Sequence, residues 1–246
     1  MWCSISINNY LGISTPLYYA HHLFLNGEEI TELVIPSNVT RIGDGVFWGC
    51  NNLISVTIPS SVTSIDDNAF RDCSGLTFIT IPNSVTTIGN STFEGCSGLT
   101  SVSIGSSVTS IGDHAFYGCS SLTSVSIPNS VTSIGVLAFY GCSGLTSVTI
   151  PNCVTCIGEQ AFSYCSGLTS VTIPNSVTSV GYHAFEGCSG LTSIHCQNST
   201  PPDIDMFCSP FDSYVYQHAT LYVPRGSRNA YELAQYWSYF SNIVEE

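Results

Sequence analysis

Residues Val125 to Ser147 read VSIPNSVTSIGVLAFYGCSGLTS, and close copies of the same string precede and follow them without insertion. Cys50, Cys73, Cys96, Cys119, Cys142, Cys165 and Cys188 stand 23 residues apart throughout. A spacing kept this strictly means one supersecondary unit built repeatedly, so the repeat decides the fold before local propensity is consulted. Aligned on Leu33, Val56, Ile79, Val102, Val125, Val148 and Val171, seven copies span residues 33–193. Three further columns are constant, Phe47 through Phe185, Leu53 through Leu191 and Val39 through Val177. With the cysteines they are expected inside, because a coil can bury them only against the coils above and below it.

Within a unit, Leu145, Val148 and Ile150 form an L-x-x-V-x-I pattern whose last two members alternate with Thr149, as a half-buried strand requires. Pro151 ends that strand, and every copy but one, Gly105, has Pro at this column. A second short strand is expected at Val131 to Gly135, with Gly135 taking a positive φ at the corner. The segment Ala138 to Cys142 is too short for a stable α-helix and is read as a single turn or bend. The expected fold is a β-rich solenoid of stacked 23-residue coils.

These units, approximating IPxSVTxIGxxAFxGCxxLTxV seven times over residues 33–193, resemble the BspA-like leucine-rich repeat, a class found in surface proteins of host-associated bacteria and some mucosal protists. The resemblance implies a right-handed leucine-rich-repeat superhelix and a role in adhesion. Asn26 to Pro36 is similar to the entry into such arrays, and Ala219 to Glu246 to their C-terminal end. Three regions follow: residues 1–32 as an N-terminal degenerate repeat or cap, 33–193 as seven repeats, and 194–246 as a C-terminal cap with a short helix. In that cap Ser227 suits an N-cap, and Ala230, Leu233, Ala234 and Trp237 fall on one helical face. Trp237, Phe240 and Ile243 would then cover the last coil.

The 246 residues contain no Lys, and four Arg oppose 17 acidic residues for a net charge of -13. Such a surface repels phosphate backbones and anionic lipid heads, so neither nucleic acid nor a polybasic membrane contact is expected. No stretch reaches the roughly 18 apolar residues of a membrane span. The opening MWCSISINNYLGISTPLYYAHHLF lacks a basic n-region and an unbroken apolar h-region, so no signal peptide is visible in it.

The ladder cysteines are read as buried free thiols, since parallel in-register Cβ atoms about 4.8 Å apart miss the ~3.8 Å approach of a disulfide. Cys153 and Cys156 form an isolated C-x-x-C with no second pair to complete a zinc site, and are read as drift at two Ser columns. Cys196 and Cys208 bracket a Pro-containing loop and could pair in an exported protein. His21, His22, His114, His183, His195 and His218 are scattered without an orienting carboxylate, which gives no Ser-His-Asp arrangement. Asp66, Asp67 and Asp72 lack the spaced oxygens of a calcium loop and are read as surface charge. No phosphate-binding glycine motif is present, and the sequons at Asn38, Asn90 and Asn198 are incidental to Thr- and Asn-rich repeats. No catalytic residue, cofactor or metal is therefore assigned.

Variation between copies marks where a partner could bind. The strand surface is a uniform Ser/Thr ladder, whereas the residue after the Phe column runs Trp48, Arg71, Glu94, Tyr117, Tyr140, Ser163 and Glu186. Asp72 and Tyr164 replace the glycine before Cys, and Asp113, His114, Glu159, Tyr182 and His183 precede the Ala-Phe pairs. Trp48, Tyr117, Tyr140, Tyr164 and Tyr182 are the candidate surface for a protein partner, extracellular-matrix or host cell-surface, on a secreted or surface-attached chain. The competing reading has these rings simply covering the bend between coils. An intracellular or periplasmic scaffold, or a repeat module detached from an enzyme, remain alternatives.

Overall fold

A computed structural model describes residues 23–25, 28–204 and 209–246. His21, His22, Cys208 and most of residues 1–32 lie outside the described residues, and with Cys208 the suggested Cys196 pairing. The chain is a parallel β-solenoid. Each of eight coils contributes one strand to a ten-stranded sheet and one to an eight-stranded sheet, in parallel register, and two further strands at the C-terminal end complete the larger sheet. Ser124–Ser126, for example, pairs with Ser101–Ser103 on one side and Ser147–Thr149 on the other, Val125 lying beside Val102 and Val148. The middle residue of each such strand is buried and its flanking hydroxyls face outward, the alternation that the repeat encodes. The second strand is shorter, as at Ser133–Ile134, with Ile134 inward. Between them the proline carbonyl closes a turn, Val131 N–H donating to Pro128 O at 3.0 Å.

The third side of each coil carries neither strand nor helix. There alternate backbone N–H groups are drawn to the next coil, as Phe116 N–H is to Ala138 O at 2.7 Å and Phe139 N–H to Ala161 O at 2.8 Å, while those between close local turns, as Tyr117 N–H does on His114 O at 3.0 Å. With these donors committed between coils, an i to i−4 helical ladder has nothing to form from. Two residues per coil adopt left-handed backbone here. One is the residue before the Ala-Phe pair, such as His114 (φ 57°), and the other is the glycine before Cys, such as Gly118 (φ 71°). The corner glycine Gly135, expected to need positive φ, does not have it; a Cβ there would lie 2.7 Å from the Gly112 backbone, so its role is close approach of successive coils.

The interior is a set of columns. Phe47, Phe70, Phe93, Phe116, Phe139, Phe162 and Phe185 are fully buried and stack ring on ring at 5.1–5.6 Å. The constant Val column is buried from Val62 to Val177, and only Val39 is partly exposed. All seven ladder cysteines are buried and unpaired. Their thiols do more than fill space, because from Cys73 onward each donates to the carbonyl of the Phe in the preceding coil, as Cys119 does to Phe93 O at 3.2 Å. Burial pushes every ladder thiol well up, to about 11 at Cys50 and about 12 at Cys142 and Cys188.

Past the seventh copy the solenoid continues with altered coil lengths. Ser193–Cys196, Thr220–Val223 and Asn242–Glu245 extend the ten-stranded sheet in parallel, and Asp203–Ile204 ends the eight-stranded one. Phe211 takes the next place in the ring column, 5.3 Å above Phe185, and Tyr216, Trp237 and Phe240 meet it edge-on. Two short helices lie here, α1 (Ser213–His218), capped by Asp212, and α2 (Arg228–Leu233). Trp237, Phe240 and Ile243 are all buried at this end. The expected helical face is different, however. Tyr231 is the buried residue of α2 and Leu233 is 79% exposed, while Trp237 lies beyond the helix in a short 3-10 turn. A helix under two turns has no extended face, and the Tyr231 hydroxyl, which donates to Asn198 O at 2.8 Å, decides which side turns in. Nor does the Ser227 side chain cap α2: it donates to Pro224 O, while the Glu245 carboxylate accepts the N–H groups of Gly226 and Arg228, which lowers the Glu245 pKa.

Candidate binding surface

The candidate aromatics all lie on the third side, but they form three different environments. Tyr117 and Tyr140, each the residue after a buried Phe, stack face to face at 4.7 Å with an interplanar angle of 2°. Tyr164 joins them from the neighbouring column, its ring 5.2 Å from that of Tyr140 and tilted by 56°. It sits at φ 58°, a conformation that bulky residues rarely adopt, and the other copies meet this position with Gly or Asp. Its ring lies over Gly187, where a Cβ would come within 2.7 Å of it. Tyr164 is the exposed member at 47%, and Tyr117 and Tyr140 are half-buried by each other. Burial first, then the neighbouring phenols and Glu186, raise the Tyr140 pKa.

Trp48 is set apart from this trio by two coils. The Arg71 guanidinium lies 4.8 Å over its ring, its Nε1 donates to Asp72 Oδ2 at 3.0 Å, and Arg71 Nη2 meets Glu94 Oε1 at 2.6 Å. Here the ring does cover the bend, as part of a charged network. Tyr182 stacks on His183 at 4.0 Å, and His183 Nδ1 pairs with Glu186 in the same turn. In the sequence Arg71, Glu94 and Glu186 stand out as variable positions with no pairing between them evident. The signal was present, since residues 23 apart are lateral neighbours and Arg71 and Glu94 are opposite charges at that interval.

Elsewhere the residues considered for chemistry are engaged structurally. Asp66 pairs with Arg41, Asp67 accepts from Asn90 N–H, and Asp113 accepts from Val136 N–H, a column of Asp and Asn side chains each tying one coil to the next. Cys153 and Cys156 are exposed free thiols. Among the described residues no three His, Cys, Asp or Glu side chains form a group able to hold a metal, and no helix is long and apolar enough to cross a membrane. The outer face of the ten-stranded sheet is the expected hydroxyl ladder, broken by Val34 (66% exposed) and Phe78 (51%) in its first coils.

Residues 19–145 and 97–207 match the BspA type leucine rich repeat region in six copies. The chain belongs to that family. Three solved structures of bacterial leucine-rich repeat proteins are similar to it. The one from T. pallidum has 26% identity and a TM-score of 0.56, over 78% of this chain and 73% of its own. The one from Eubacterium ventriosum has 33% identity and a TM-score of 0.61, over 67% of this chain and 44% of its own. The one from Bacteroides ovatus has 27% identity and a TM-score of 0.63, over 88% and 61%. This BspA-type chain thus spans less than two thirds of the latter two. No curated protein matches it.

Proposed function

We propose that this BspA-type array is a non-catalytic binding protein, displayed at the cell surface or secreted, that holds a protein partner on the side of the solenoid bearing Tyr117, Tyr140 and Tyr164. The observation that carries this is the contiguous tyrosine trio on a frame whose other outward positions are mostly small hydroxyls. Aromatic rings held in place by each other offer contact area at little rotamer cost, which is what interface hot spots require. Trp48 and Tyr182 flank the trio as peripheral contacts. The repeat family is consistent with partner binding, and the hydroxyl ladders offer no nucleophile with a base beside it.

The test is binding of the full chain to a panel of purified extracellular-matrix and cell-surface proteins, beside a variant with Ser at 117, 140 and 164. Loss of more than about 2 kcal/mol of affinity for any bound protein, with an unchanged β-sheet spectrum, is the expected result. A partner bound with undiminished affinity would remove the trio. A second reading, a scaffold in a reducing compartment, is favoured by the ten free cysteines among the described residues, two of them exposed. Surface labelling of intact producing cells separates the two, since a scaffold inside the cell stays unlabelled.

A further inference from the structure

We infer that the tyrosine trio takes a basic, extended peptide segment, with an Arg or Lys side chain seated in a glycine-floored slot beside it. This rests on the protein-partner reading above and names the chemistry of the partner. The slot follows from the column of residues before Cys, which runs from Asp72 to Gly187 over six consecutive coils. Gly95 is covered by the Asp72 carboxylate and Gly187 by the Tyr164 ring, but a Cβ at Gly118 would meet nothing within 4 Å, and one at Gly141 only the Gly118 backbone at 3.8 Å. Two adjacent coils, about 10 Å along the axis, are therefore floored by bare backbone. Tyr117 and Tyr140 stand along one flank, the Asp72 carboxylate marks one end and Tyr164 the other.

Charge selects the occupant. Asp67, Asp113 and Glu159 are exposed on this side, Glu186 is partnered by His183, and the one Arg or Lys among the described residues of these turns, Arg71, is already held by Glu94 and Asp72. A guanidinium or ammonium entering the slot is drawn by the net negative charge of these turns, and the face of the exposed Tyr164 ring adds cation–π attraction to it. From Asp72 to Glu186 the side spans five coil steps, about 24 Å, close to the roughly 26 Å reach of eight extended residues.

Three fluorescent peptides test this by anisotropy against the full chain: four alternating Arg-Ser pairs, the same with citrulline for Arg, and the same with Glu for Arg. The expected result is binding of the Arg peptide at least about tenfold tighter than the citrulline peptide, with no binding of the Glu peptide. Tyr140→Ser combined with Tyr164→Gly should weaken the Arg peptide about tenfold or more, and Phe78→Ser, on the outer face of the ten-stranded sheet, should not. Equal affinity for the Arg and citrulline peptides, or an Arg peptide bound equally by the double variant, overturns the inference, the second outcome reducing it to general attraction to an acidic surface. Inert peptides alongside a protein partner lost by the trio variant would overturn the basic occupant and leave the trio as the interface. Peptides bound at the slot with no protein retained would overturn the surface-protein reading instead.

Discussion

At Cys142 the side chain is completely buried, donates a hydrogen bond to Phe116 O at 3.3 Å, and has its thiol pushed up to about 12 by that burial. A protonated thiol is neutral, so a folded-state pKa above the unfolded one leaves stability intact below about pH 9 and withdraws it as pH rises toward 12. Urea unfolding from about pH 8 to pH 11 should therefore show stability falling ever more steeply above pH 9, and Cys142→Ala should flatten that slope by roughly 1.4 kcal/mol per pH unit. An unchanged slope would mean the thiol is already accessible. By the same logic native alkylation should label Cys153 and Cys156 and spare Cys119, whose thiolate burial suppresses. Phe116 gives the packing counterpart: it is fully buried with rings at 5.3 and 5.1 Å on either side. Phe116→Ala should cost about 3–5 kcal/mol in denaturant unfolding, whereas Phe78→Ala, half exposed on the sheet, should change stability by less than about 0.5 kcal/mol.

At the scale of the coil, what was readable from the amino acids was whatever repetition enforces. Phe, Cys and Leu had to face inward because seven copies kept them and a stacked unit has one interior. The glycines were harder, because two physical demands produce the same letter: Gly135 yields space to the coil below, while Gly141 supplies a φ of 69°. Only coordinates separate these. The α2 face failed for a related reason, since six residues are too few for periodicity to outweigh one buried hydroxyl at Tyr231. The candidate surface was legible as a set of variable columns, and the 23-residue interval sets Arg71 beside Trp48, but no spacing rule says that the guanidinium would lie over that ring or that Tyr164 would turn through a left-handed residue onto its neighbour. That turn predicts a trade. Tyr164→Gly removes the strain of a bulky side chain at φ 58° and the ring's contact over Gly187 together, so unfolding should show a gain of about 1 kcal/mol or no change, while partner binding weakens. A loss of more than about 2 kcal/mol would show instead that the ring holds the coils together.

Over the whole molecule, stability is close to a sum of coil-to-coil interfaces, so the ends matter as much as the middle. The C-terminal end closes the ring column with Phe211, Trp237 and Phe240, and its outermost strand, Asn242–Glu245, ends on an acidic residue. Truncation after residue 218 would strip two strands and expose Phe211, and the shortened chain should associate in light scattering at concentrations where the intact one does not. A monodisperse truncation with unchanged melting would contradict that. Because every ladder recurs at the same interval, recombination that drops residues 78–100 joins Thr77 to Ser101 with each column still meeting its like. The genome can lengthen or shorten such a chain by whole rungs without redesigning an interior. What changes is the spelling of the outer edge, where Arg71 would then stand beside Tyr117 in place of Glu94. Slippage between repeats would thus rewrite the outer surface while leaving folding almost untouched.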